Sequence, residues 1–191
     1  MPQEVIPDRR ATSPTRELVI TRTFDAPREL VFEAFTDPRH LTKCWGPNRC
    51  TVIACEADPV VGGCWRISMR SPRVLPQFVN RHAVNRESRS GPRQHEPGVY
   101  AQKDDWIVEK QLGIYQEVIK PERLVFTYAF EGADGRPGPQ TVITVSLADD
   151  SGRTRLTLHQ AIFESVSVRD DHIRGWTEAL DRLVEYLPQP D

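Results

Sequence analysis

The sequence predicts an α+β domain in which a long C-terminal helix lies along an antiparallel sheet. Three observations carry this reading. Val168, Ile173, Trp176, Leu180, Leu183, Val184 and Leu187 recur mostly at three- and four-residue steps, one apolar stripe on a helix from Ser167 to Leu187. Between Cys50 and that helix the apolar residues alternate with polar ones, and turn residues separate the runs. About twenty helical residues span about 30 Å, the length of a strand of eight or nine residues. One such helix can therefore serve as half of the core.

Taken in order, residues 1–15 are rich in Pro, Arg, Ser and Thr and read as a disordered leader, with no apolar core for a signal peptide. Leu18, Ile20 and Phe24 then alternate with Glu17, Val19, Thr21 and Thr23, the two-residue period of a strand. Asp25-Ala26-Pro27 opens a helix whose apolar side is Leu30, Val31, Ala34 and Phe35. Asp37-Pro38 repeats the start signal, and Gly46-Pro47 ends a second short helix after Trp45. Strands follow at 50–57, from Trp65 to Arg70, at 106–119, from Leu124 to Phe130, from Ile143 to Leu147, and around Leu156 and Leu158. With the first, that makes about six or seven.

Residues 71–105 break the pattern. They form a Pro/Arg-rich insertion, and loops of this length are functional or solvated. A mobile insertion, dispensable for folding, is the expectation; a basic arm for an anionic partner is the alternative. In the final helix, Ser167 is the expected N-cap, and Asp170 with Arg174 and Glu178 with Arg182 are acid-before-base pairs on the exposed side. Gly175 and Ala179 lie beside the stripe, where either a strand approaches closely or space is left.

At 191 residues the chain suits one domain, spanning 16–187, with a tail at 188–191. A net charge of −2 does not advertise nucleic acid or a membrane surface as partner. No run approaches eighteen apolar residues, so no membrane span is expected, and a cytoplasmic location is the default. Cys44, Cys50, Cys55 and Cys64 form no C-x-x-C pair, which is poor spacing for zinc. Cys55 and Cys64 could face one another across a hairpin centred on Pro59 and Val60, although small buried thiols are the simpler expectation.

The segments ELVITRTFDAPRELVFEAFTDPRHLTKCWGP, GGCWRISM, GIYQEVIKPERLVFTYAF, TRLTLHQAIF and RGWTEALDRLVEYL, in that order, resemble one family. It is that of the bacterial homologues of the heat-shock-protein-90 ATPase activator, within the START-like SRPBCC superfamily. The resemblance covers about residues 16–70 and 106–187. It implies a helix-grip fold: a curved antiparallel sheet wrapped around the C-terminal helix, two short helices closing one end, and a cavity between sheet and helix. The chain departs from the family at Cys44-Trp45, usually two Trp, and at Val60-Val61, usually Arg-Pro. Residues 71–105 also replace a much shorter connection.

Motifs of catalysis are missing: there is no G-x-S-x-G, G-x-x-x-x-G-K, G-x-G-x-x-G or H-E-x-x-H. His159 is expected outward on its strand, opposite Leu156 and Leu158, and His172 beside the helix stripe. Glu117 shares a strand face with Tyr115 and Gly113. If that face is inward, a buried carboxyl beside a phenol would have a raised pKa suited to general acid–base work. The aromatic residues give the stronger signal. The expected ligand-binding set is Trp45, Trp65, Ile67, Met69, Trp106, Tyr115, Glu117, Phe126, Tyr128, Trp176 and Leu180, with no catalytic residue, metal or cofactor assigned. The expected ligand is small and hydrophobic or amphipathic. Two other functions stay open: a protein-interaction module related to the chaperone activators, and an enzyme of the cyclase or hydrolase kind using the same cavity. A homodimer stays open as well.

Overall fold

Alternation and helical period resolve into ten elements in the computed structural model, which describes residues 16–72 and 106–187. The expected leader, nearly all of the 71–105 insertion and the tail lie outside the described residues. The order is β1 (Leu18–Phe24), α1 (Arg28–Ala34), α2 (Pro38–Cys44), β2 (Thr51–Ala57), β3 (Cys64–Pro72), β4 (Trp106–Ile119), β5 (Arg123–Phe130), β6 (Thr141–Asp150), β7 (Arg153–Ala161) and α3 (Val166–Tyr186). The seven strands form one antiparallel sheet in the order β1-β7-β6-β5-β4-β3-β2. Neighbours from β2 to β7 are consecutive in the chain, and β1 closes onto β7.

The short helices stand on local signals. Asp37 caps α2 by accepting from the Arg39 backbone N–H at 2.8 Å, with Pro38 at the first helical position; such a cap is worth about 1 kcal/mol. Pro27 precedes α1 without a side-chain cap, and Val31, Phe32 and Ala34 are that helix's buried side. Strand β3 runs through Ser71 and Pro72, which pair with Ile107 and Trp106, so the ordered sheet extends past the expected end at Arg70.

Helix α3 is the other half of the core. Trp176, Ala179, Leu180, Leu183 and Leu187 are buried, with Val168 and Ile173 packed against them. Facing them are Ile143, Val145, Leu156 and Leu158, the inner residues of β6 and β7. Three expectations need correction. The N-cap is Ser165, whose hydroxyl accepts from the Val168 N–H at 3.2 Å, so the helix begins before Ser167. Val184 is 37 % exposed and does not join the stripe. Neither four-residue ion pair forms: Arg174 pairs with Asp171, and Asp170 with Arg169.

Glu178 and Arg182 serve the tertiary structure instead. Glu178 accepts from the Asn48 backbone N–H at 2.8 Å. Arg182 turns toward the loop after α2 and donates to the carbonyls of Lys43, Trp45, Gly46, Pro47 and Cys50 at 2.8–3.4 Å. Fixed donors aimed at five backbone oxygens outcompete one exposed ion pair, which contributes only about 0.5 kcal/mol. This clamp holds Trp45 over the sheet.

Candidate functional site

The clamp, the sheet and α3 bring three indoles together. Trp45 lies 5.6 Å from Trp65 on β3 and 5.2 Å from Trp176 on α3, centroid to centroid. Trp65 continues to Phe126 at 5.7 Å and Tyr128 at 5.8 Å, both on β5, and Tyr115 on β4 meets Phe126 at 6.0 Å. Each indole N–H is satisfied, as buried Trp requires. Trp45 donates to Gln111 Oε1 at 2.8 Å, Trp176 to Gln160 Oε1 at 2.7 Å and Trp65 to the Thr127 carbonyl at 3.1 Å. Ile67, Met69 and Leu180, each 1 % exposed, complete the buried members of the expected set.

Trp106 and Glu117 lie elsewhere. Strand alternation puts Ile107 inward, so Trp106 turns outward, where the Arg70 guanidinium sits 4.7 Å above its ring. Glu117 should share the face of Tyr115, two residues earlier. A bulge between Tyr115 and Glu117 shifts the register and reverses the face. Glu117 therefore reaches Arg123 on the outer surface at 3.0 Å, while Tyr115 stays buried. The proposed acid–base pair is split by that one extra residue. His159 also faces out, 2.9 Å from Glu17.

The carboxyl that does face inward is Glu109, two positions before Gln111 on β4. It is 5 % exposed. Its Oε2 accepts from Ser71 Oγ at 3.0 Å, and Ser71 Oγ lies 3.2 Å from Cys50 Sγ. Oε1 is buried without a hydrogen-bond partner among the described residues. Burial pushes this carboxyl from 4.5 up to about 7, against the Ser71 hydrogen bond. Burial, with a smaller contribution from the Glu109 charge, also pushes the Tyr128 phenol well above its ordinary range.

A pH dependence of folding follows. The folded chain holds the Glu109 proton more tightly than the unfolded chain, so this group's stabilisation is complete below about pH 4.5. It falls as pH rises to about 7 and is lost above, a difference of about 3 kcal/mol. Urea unfolding between pH 4.5 and 8 should show wild type losing that amount relative to Glu109→Gln. Parallel curves for the two proteins would exclude an ionising Glu109.

Where β5 and β6 part from the start of α3, a pocket opens. Tyr128, Phe130, Phe163, Val168 and His172 line it, with Thr141 as a polar wall and Glu164 at the rim. His172 sits among the rings of Phe163, Tyr128 and Phe130 at 4.9, 5.6 and 6.2 Å, and its Nδ1 donates to the Val168 carbonyl at 2.9 Å. The pocket encloses about 20 Å³, room for one water.

A family model fits this architecture. That of the activator of Hsp90 ATPase homolog 1-like proteins matches residues 25–78 and 71–188. The chain belongs to this family. Solved structures similar to this AHSA1-like domain include a protein from Chromobacterium violaceum, 22 % identical, with a TM-score of 0.65 over 92 % of this chain and 99 % of that one. An AHSA1 protein from Silicibacter pomeroyi is 22 % identical, with a TM-score of 0.63 over 88 % and 95 %. A protein from Mycobacterium smegmatis is 19 % identical, with a TM-score of 0.64 over 93 % of each chain. At these identities the likeness is one of fold. No curated protein sequence matches the chain significantly.

Within the AHSA1-like domain the four cysteines are unpaired. Cys55 aligns with Ile67, and Cys64 with Ile114, so the two do not face one another. Among the described residues no His, Cys, Asp and Glu cluster could hold a metal, and no helix is long and apolar enough to cross a membrane. Glu109 and Gln111 were not among the expected site residues. The signal was present: once Tyr115 and Gly113 are placed inward, alternation carries the same face back to Gln111 and Glu109.

Proposed function

We propose that this domain binds a small apolar or amphipathic molecule between its sheet and C-terminal helix, without catalysis. The observation that carries the reading is the pocket at the head of α3, where aromatic walls meet a few polar groups as in small-ligand sites, and which must widen from its one-water size to admit a larger molecule. It adjoins the aromatic cluster through Tyr128. The cytoplasm suits four unpaired cysteines, because thiols stay reduced there.

N-phenyl-1-naphthylamine should bind the native protein at one equivalent and shift tryptophan emission. Val168→Trp, which narrows the pocket, should weaken that binding about tenfold or more with folding retained. Moderate salt should change little, since the walls carry no charge cluster for salt to screen. Absent binding, or binding lost in salt and indifferent to Val168→Trp, would refute the reading.

A second reading is a protein-interaction module, with a chaperone ATPase as candidate partner by family. The small enclosed volume favours it, because a ligand larger than water enters only if side chains move. Failure of the apolar probe, together with complex formation with a chaperone, would establish it.

A further inference from the structure

We infer that the ligand carries one neutral hydrogen-bond donor, a hydroxyl or amide N–H, on an otherwise apolar body, and that Glu109 is its acceptor. The inference rests on the ligand-binding reading above. Among the described residues, Glu109 Oε1 is the buried side-chain polar atom left without a partner. Leaving a buried acceptor unpaired is costly, and the cost is recovered when a donor arrives.

Among the described residues, the other polar side chains around Glu109 are engaged elsewhere, the Tyr128 phenol apart. Ser71 is engaged with Oε2, and the Cys50 thiol with Ser71. Arg182, on the facing helix, is committed to its five carbonyls, and Glu178 beside it to Asn48. On the neighbouring strands Lys110 pairs with Glu131, and Arg70 lies over Trp106 on the outer face. Among the described residues, the Tyr128 phenol is also close enough to feel the Glu109 charge.

Position links the carboxyl to the pocket. Phe130, a pocket wall, is the register partner of Gln111. Glu109 is the next inward residue on β4, about 7 Å further along the strand. Tyr128 belongs to both surroundings, lining the pocket and feeling the Glu109 charge. A molecule passing Tyr128 from the pocket would bring its far end toward Oε1. A neutral donor suits the place better than an ammonium, which would add its own desolvation cost in a buried site. A metal is disfavoured, since among the described residues no group of three His, Cys, Asp or Glu side chains could hold one.

Two near-isosteric probes separate the inference from the reading beneath it: 2-naphthalenemethanol and 2-ethylnaphthalene, which differ by a hydroxyl in place of a methyl. Their dissociation constants are read by tryptophan emission on wild type, Glu109→Met, Glu109→Gln and Tyr128→Phe. Glu109→Met should weaken the alcohol about tenfold, the loss of one hydrogen bond to a charged group, and leave the hydrocarbon within about twofold. Glu109→Gln, which keeps an acceptor oxygen, should retain most of the alcohol's affinity. On wild type the alcohol should tighten from pH 6 to 8 as the carboxyl ionises, and on Glu109→Gln it should not. That pH comparison decides the matter if the Met variant fails to fold. If both probes respond alike to Glu109→Met, or Tyr128→Phe alone removes the alcohol's preference, the inference falls while the cavity reading stands. If neither probe binds wild type, the reading falls and takes the inference with it.

Discussion

Replacing Trp176 by Ala should lower the stability of this protein by about 3–5 kcal/mol, the range for deleting a buried large aromatic. Trp176 is 7 % exposed, on the one face of α3 that meets the sheet. Its removal vacates the edge contact with Trp45 and leaves Gln160, itself 0 % exposed, without the indole donor for its Oε1. Gln160 would keep only its bond to Thr141. The loss therefore combines a cavity with a stranded polar group, and two such costs add. Urea denaturation followed by far-UV circular dichroism measures it. A loss under about 1 kcal/mol would mean that the indole contributes no core packing.

Gly113→Ala should be at least as damaging. A Cβ at Gly113 would lie 1.7 Å from the Thr127 carbonyl oxygen and 2.7 Å from its carbon. These are backbone atoms of the adjacent strand, so no side-chain rotation relieves the overlap. The same Cβ would lie 2.5 Å from Trp65 Nε1, because the Trp65 indole crosses its strand partner Gly113 to reach Thr127. The sheet must either separate β4 from β5 or expel Trp65. We expect a cost above about 3 kcal/mol, beyond the ordinary range for overpacking. Loss of the near-ultraviolet circular dichroism of the tryptophan cluster should accompany it. A folded Gly113→Ala protein with wild-type near-ultraviolet signal would contradict the packing of Trp65 across β4.

The fold was legible because its two periods are strong and local. Alternation marks β3 to β7, and the stripe from Val168 to Leu187 marks α3. Polar or turn residues bound each segment, so neither period depends on what it packs against. Family motifs then added the curvature of the sheet around the helix. Errors fell at ends and faces. Ser165 and Ser167 are both good caps, and the one used is set by where the chain leaves β7.

The candidate site was less legible. A bulge has no composition of its own, and the one after Tyr115 decided that Glu117 faces water. Arg182 reads as half of a surface ion pair until the loop from Lys43 to Cys50 folds back to present its carbonyls. Glu109 reads as one more polar residue in an alternating strand until Ser71 and Cys50 close over it. By itself, then, the sequence determined which segments are strands and helices and, Trp106 apart, that the expected aromatic residues are buried, because those follow from transfer of apolar groups out of water. Only the tertiary structure decided which polar atoms are paired and which are left without a partner, because a hydrogen bond needs two groups from distant segments at one distance and one angle.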